Sequence, residues 1–187
     1  GDKVPTNFQS SFGDYHDPDY ALLAGWVIGD GAVSYNSNKL QRAHVVVYQN
    51  DIDDVLPTLR DKLNKLYDRH NQSSNQNPQY YGCEQSPKGF NFKKKTMESL
   101  VLGRLLKEDG IVVGDKHQVP HQVWNSDKET VAAFLRGLFS ADGSVQISNH
   151  KKCISIRLWQ ANREFLGQIK LLLNQFGIVC SILHRRK

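Results

Sequence analysis

Two stretches of the chain carry one pattern of apolar and small residues. Leu23-Ala24-Gly25-Trp26-Val27-Ile28-Gly29-Asp30-Gly31 and Leu135-Arg136-Gly137-Leu138-Phe139-Ser140-Ala141-Asp142-Gly143 place small residues four apart, Gly25 and Gly29 in the first and Gly137 and Ala141 in the second, before an Asp-Gly pair. That spacing puts the small residues on one helical face, where missing bulk lets two axes come closer than the usual separation of about 8–10 Å. The pattern predicts two helices packed through these faces, over about 18–29 and 127–141, with Gly31 and Gly143 as their C-terminal stops. Asp17 followed by Pro18 reads as the cap and first residue of the first helix, and Ser126-Asp127-Lys128-Glu129 reads as a capping box opening the second.

The rest of the pattern places further elements around the two helices. Segments 32–36 and 42–49 read as a hairpin, followed by an amphipathic helix over about 51–68 carrying Ile52, Val55, Leu56, Leu59, Leu63 and Leu66. Pro57 either kinks that helix or marks its true first turn. Residues 71–79 are a polar loop, and strands follow at about 79–85 and 89–95, the second with Phe90 and Phe92 inward and Asn91, Lys93 and Lys95 outward. A helix over about 97–107 leads into a linker, 108–125. After the second motif come strands at about 144–149 and 152–160. A helix capped by Asn162, with Phe165, Leu166, Ile169, Leu173 and Phe176 on one face and Gly177 as its stop, precedes a last strand, 178–184. The chain thus divides into an arm (1–17), a first half (18–107), the linker and a second half (126–187) that lacks one strand and one helix relative to the first.

Composition narrows the class. With 39% hydrophobic and 23% charged residues, no apolar run of membrane-span length and no basic leader, the sequence predicts a soluble, intracellular (cytoplasmic) α+β protein. Cys83, Cys153 and Cys180 are odd in number and far apart, so buried thiols are expected rather than a disulfide framework. His117 and His121 are four apart, but Pro120 intervenes and no Glu follows the first His, so the helical zinc-protease pattern fails. A net charge of +5, with Lys93-Lys94-Lys95 and Arg185-Arg186-Lys187 as clusters, favours a polyanionic partner.

The acids that end the two motifs carry the chemistry. Asp30 and Asp142 would sit at the negative ends of two helix dipoles, each losing roughly 0.3–1 kcal/mol there and repelling the other, an arrangement that divalent cations would relieve. The repeated motif resembles that of the LAGLIDADG homing endonucleases. Lys116-His117-Gln118-Val119-Pro120 and the run from Asn162 to Ile178 resemble further blocks of the endonuclease domains that inteins carry, and together the four stretches spread over residues 19–180 in the family's order. The resemblance implies a pseudo-two-fold pair of αββαββα halves, the second incomplete here, in a monomer. The chain opens on Gly1 and closes on Lys187, without the nucleophile and His-Asn of a splicing element, so a domain with no splicing activity of its own is expected.

By the same resemblance, Mg²⁺ or Mn²⁺ would bind Asp30 and Asp142 with help from the carbonyls of Gly29 and Ala141, and water would be activated to cut a phosphodiester in each strand of a long duplex DNA target. Gln49 and Gln160, ending the second strand of each half, would help order water. The family usually carries a Lys three residues before the linker Pro; here that place is His117, with Lys116 one residue earlier, so either group is a candidate. For DNA contact the candidates are Arg42, His44, Lys93, Lys94, Lys95, Gln146, Ser148, Arg157, Arg185 and Arg186. The competing reading is a DNA-binding protein or RNA maturase that kept the fold and lost cleavage.

Overall fold

The computed structural model describes residues 12–48, 51–70, 94–148 and 153–183. The expectations for residues 1–11, the loop 71–79, the strand 79–85, Cys83, Gln49, Lys93, Arg185 and Arg186 lie outside them.

Helix α1 (Pro18–Gly29) begins as its sequence dictates: Asp17 Oδ1 accepts from the Tyr20 amide at 3.0 Å, and Pro18 sits where its missing N–H costs nothing. It packs along α5 (Lys128–Asp142), and the glycines set the approach. A Cβ at Gly25 would lie 2.2 Å from the carbonyl oxygen of Phe134, one at Gly137 2.1 Å from that of Leu22, and one at Gly29 2.6 Å from Ala141 Cβ. The helix backbones touch, and Leu23, Ala24, Val27 and Ile28 of one and Phe134 and Leu138 of the other are fully enclosed beside the contact.

Two details at the helix ends differ from the sequence expectation. Asp127, not Ser126, caps α5: its Oδ1 accepts from the Thr130 amide at 2.8 Å, while Ser126 Oγ donates backward to the Gln122 carbonyl at 2.8 Å. Ser126 belongs to the turn behind α4 (His121–Trp124), a short helix inside the stretch read as linker. Nor are Gly31 and Gly143 left-handed stops, since neither has positive φ. Gly143 opens a strand directly, and a Cβ at Gly31 would lie 2.5 Å from the His44 carbonyl oxygen, so close approach is what requires glycine there.

In the first half, β1 (Ala32–Tyr35), β2 (Gln41–Tyr48) and β3 (Lys94–Ser99) form an antiparallel sheet in the order β1-β2-β3. Strand β3 runs four residues beyond the predicted end of its strand. Met97 pairs with Val45 in the core, and α3 (Leu100–Glu108) starts only when Ser99 Oγ caps the Leu102 amide. Helix α2 (Leu56–His70) places Pro57 in its first turn and buries Leu56, Leu59, Leu63 and Leu66. The inner face of β2 (Ala43, Val45, Val47) is sealed by α3, whose Gly103 would put a Cβ 2.4 Å from Arg42 Cα.

The second half has β4 (Gly143–Ser148) and β5 (Cys153–Leu158) in an antiparallel hairpin, then α6 (Arg163–Gln175). Asn162 caps α6, burying Phe165, Ile169 and Leu172 against the common core. Gly177, at φ +73, ends it with the Ile178 amide on the Leu173 carbonyl and its own amide on that of Asn174, a Schellman closure. Residues 178–183 form no strand, contrary to the last strand expected over 178–184. Among the described residues no element covers the hairpin face on which Val145 opposes Ile156 and Ile147 opposes Ile154, and these four side chains are 67% to 72% exposed. Cys153 is likewise exposed and Cys180 half-buried, which corrects the expectation of buried thiols. The halves are also tied at the start of the chain: residues 13–15 hydrogen-bond along 125–127, and the Asp17 amide donates to Thr130 Oγ1 at 3.1 Å.

Candidate active site at the helix seam

The touching ends of α1 and α5 bring the two motif acids together. Asp30 caps α1 with its amide on the Trp26 carbonyl, and Asp142 is the last residue of α5, so both carboxylates stand at negative helix ends. A Cβ on Gly29 would lie 3.4 Å from the Asp142 carboxyl carbon. Only small residues at Gly29 and Ala141 leave the acids this close.

Their electrostatics follow from that crowding. Burial, then Asp142 and to a lesser degree Asp51, push the Asp30 carboxyl up to about 6, with Lys116 pulling the other way. Asp142 is raised as well, by burial, against the lowering pull of Lys116, His117 and a hydrogen bond from Gln160 Nε2 to its Oδ2. Two neighbouring carboxyls held reluctant to ionise by burial, and Asp30 also by Asp142, mark a place where added positive charge is stabilising.

Lys116 supplies part of that charge. Its Nζ donates to the carbonyl oxygens of Gly31 at 2.8 Å, Gly29 at 2.9 Å and Val27 at 3.2 Å, taking up acceptors that the last turn of α1 leaves unpaired. Burial pulls its pKa down while both acids push it back up. His117 lies farther out, its ring tilted toward Phe165 with centroids 6.2 Å apart, and burial and then Lys116 hold it below the ordinary histidine value. The cradle fits a hard divalent cation: its donors are two carboxylates and backbone carbonyls, all oxygen, and it already gathers an ammonium. Among the described residues no cluster of three His, Cys, Asp or Glu side chains is gathered for a metal ion, at the seam or away from it. A cavity of about 360 Å³ lined by Tyr15, Asp17, Tyr20 and Arg104 opens at the opposite end of α1 and does not reach the acids.

The candidate DNA-contact residues scatter more. Arg42, His44 and Lys94 share the face of the three-stranded sheet turned away from α3. Lys95 does not: it pairs with Val47, on the same side as Met97, so the outward phase assigned to it is reversed. Gln146 and Arg157 are exposed on the face of the second hairpin opposite its isoleucines, and Ser148 is the last residue of β4. Sequence reading missed Asp51, which stands close enough to Asp30 to raise it, and Glu98, which lies opposite His44. The signal for Glu98 was hidden because residues 96–99 look helical beside Leu100 and Val101.

Residues 129–187 match the model of the LAGLIDADG-like domain family. Over its whole length the chain is similar to the ribonucleoside-diphosphate reductase NrdEB subunit alpha of Bacillus subtilis strain 168, at 28% identity, covering 17% of that protein. A tRNA-splicing ligase RtcB of Methanocaldococcus jannaschii is 28% identical over 84% of the chain and 18% of its own length, and a DNA polymerase of Thermococcus sp. strain GE8 is 39% identical over 33% and 4%. The chain therefore spans less than a fifth of the length of these relatives. Among solved structures, the chain is similar to the LAGLIDADG meganuclease I-AabMI bound to uncleaved DNA (TM-score 0.41, 15% identity, 92% of this chain and 76% of that one). I-DmoI in complex with DNA and Mn gives TM-score 0.46 at 18% identity over 87% and 79%. No described helix is long and apolar enough to cross a membrane.

Proposed function

We propose that the chain is a site-specific endonuclease that cuts both strands of duplex DNA, and that it is an insert carried by a longer host polypeptide. The observation that carries the first part is the pairing of Asp30 with Asp142 at touching helix ends, with the Lys116 ammonium held beside them on the Gly29 carbonyl. The second part is supported by the company the segment keeps: related stretches make up small fractions of a reductase, a ligase and a DNA polymerase, whose chemistries have nothing in common.

In this reading Asp30 and Asp142 hold divalent cations, with Gly29 and Ala141 offering carbonyls. Such a cation supplies a lowered pKa for water and positive charge for the phosphate oxygens. Gln160, hydrogen-bonded to Asp142, fixes that carboxylate and orients water beside it. Lys116 keeps an ammonium next to both acids, where it offsets negative charge gathering on the scissile phosphate. Arg42, Lys94, Gln146 and Arg157 contribute to binding the duplex from the outer faces of the two sheets.

The test is a library of supercoiled plasmids bearing random inserts, incubated with the protein and Mg²⁺ and sequenced after linearisation. Linear product from wild type, lost in Asp30→Asn and Asp142→Asn while duplex binding remains, is expected. A mobility shift without linear product from wild type would replace the nuclease with a DNA-binding protein on the same fold.

A further inference from the structure

The outer face of the three-stranded sheet carries a closed ring of polar contacts that the cleavage chemistry does not use. Ser34 and Arg42 are register partners between β1 and β2, and His44 and Glu98 between β2 and β3, so alternation brings all four side chains to one face. Arg42 donates from Nε to Ser34 Oγ at 3.1 Å and from Nη1 to Glu98 Oε2 at 2.7 Å. His44 Nε2 lies 2.7 Å from Ser34 Oγ, and His44 Nδ1 lies 3.3 Å from Glu98 Oε1. Ser34 Oγ carries two lone pairs and one proton, so a neutral His44 meets it in either tautomer, with Nδ1 facing the Glu98 carboxylate. Burial, with Arg42 beside it, holds His44 below the ordinary histidine value despite Glu98, which favours that neutral form.

The ring changes what Arg42 can do. A lone arginine on a DNA-facing sheet is drawn to any phosphate, and phosphate contacts carry no sequence information. Here Glu98 compensates the guanidinium charge and fixes its plane. Two of the five guanidinium N–H groups enter the ring and three remain outside it. An immobilised fork of that kind suits the paired O6 and N7 acceptors of a guanine edge, with its ordering entropy already spent on folding. Glu98 in turn repels a phosphate that approaches without offering such a pair.

We propose that Glu98 is a specificity-determining residue, which holds Arg42 for base-edge recognition and suppresses sequence-independent binding. The proposal rests on the reading of the chain as a DNA-binding nuclease, and the test separates the two. Binding of wild type and Glu98→Gln is measured by fluorescence anisotropy, without divalent metal, on a random-sequence duplex pool and on the pool that wild type enriches from it, over about 50–300 mM salt. Glu98→Gln should bind the random pool about tenfold more tightly and steepen its salt dependence by about one phosphate contact, close to 0.9 in log–log slope. Its preference for the enriched pool should fall about tenfold. In an Arg42→Met background Glu98→Gln should change neither quantity. Ser34→Ala opens the ring without altering charge, so it should lower the preference and leave the salt slope unchanged; it carries the test if Glu98→Gln melts early. An unchanged slope and preference in Glu98→Gln, or an equal effect in the Arg42→Met background, overturns the role of Glu98. A wild type that binds no duplex overturns the DNA reading itself.

Discussion

Lys116 Nζ donates to the carbonyl oxygen of Gly29 at 2.9 Å, and the same ammonium reaches Val27 and Gly31. On the proposed reading, Lys116 rather than His117 serves the reaction, its long stem making up the one-residue offset in the linker. Lys116→Met should slow cleavage about 10²-fold or more, the scale of losing one positioned charge, and should lower the melting temperature by removing a cap from α1. His117→Ala should change the rate little. Single-turnover rates of both variants across about pH 6–9 check this; a slow His117→Ala beside a normal Lys116→Met would reverse the assignment.

Asp30 gives the site a pH dependence with a definite sign. Its carboxyl, pushed up to about 6 in the folded chain chiefly by burial, holds a proton that the unfolded chain releases near 4. Stability without metal should therefore rise as pH falls through about 6 and level off below about 4, as far as this group decides it. A bound cation competes with that proton, so Ca²⁺ affinity should weaken over the same range. Melting curves with and without Ca²⁺ from about pH 5 to 8 would show a gap that widens with pH. A constant gap would mean that Asp30 does not bind the metal.

The glycines make opposite predictions according to what surrounds them. Gly25→Leu or Gly137→Leu drives a side chain into backbone about 2 Å from its first atom and should cost about 1–3 kcal/mol or more. Gly167, inside α6 with nothing within 4 Å of its missing Cβ, should accept Ala with a gain of about 0.5–1 kcal/mol. Urea unfolding of the three variants tests the seam directly; a neutral Gly137→Leu would remove the close contact from the account.

The two sheets should respond differently to one substitution. Val45, fully enclosed under α3, should lose about 1–3 kcal/mol on change to Thr, which buries a hydroxyl. Ile154→Thr and Ile156→Thr, on the open face of the second hairpin, should stay within about 0.5 kcal/mol. A large loss at Ile156 would show that this face is covered in solution.

What could be read from the sequence was set by local rules. Asp17-Pro18, the small-residue spacing and Asn162…Gly177 each specify their own geometry, and the helices began or ended there. Misreadings came where tertiary partners decide. Thr96 to Ser99 could continue a strand or start a helix, and pairing of Met97 with Val45 chose the strand, which in turn reversed the facing of Lys95 and brought Glu98 beside Arg42. Ser126 and Asp127 are both good caps, and α4 claimed the serine first. The paired acids were legible because a repeat is visible in one dimension; the cradle of Lys116 was not, because its acceptors are backbone carbonyls that any sequence supplies.

The contact between Gly25 and Phe134 also acts as a fulcrum. Asp30 lies five residues farther along α1, about 7.5 Å at 1.5 Å per residue, so rocking the helices about their glycines swings each carboxylate on a short lever. A tilt of about ten degrees would displace it by roughly 1.3 Å, and errors near 1 Å can slow a positioned reaction about 10²-fold. Seam variants mild enough to stay folded would then be felt as lost turnover well before they are felt as lost protein.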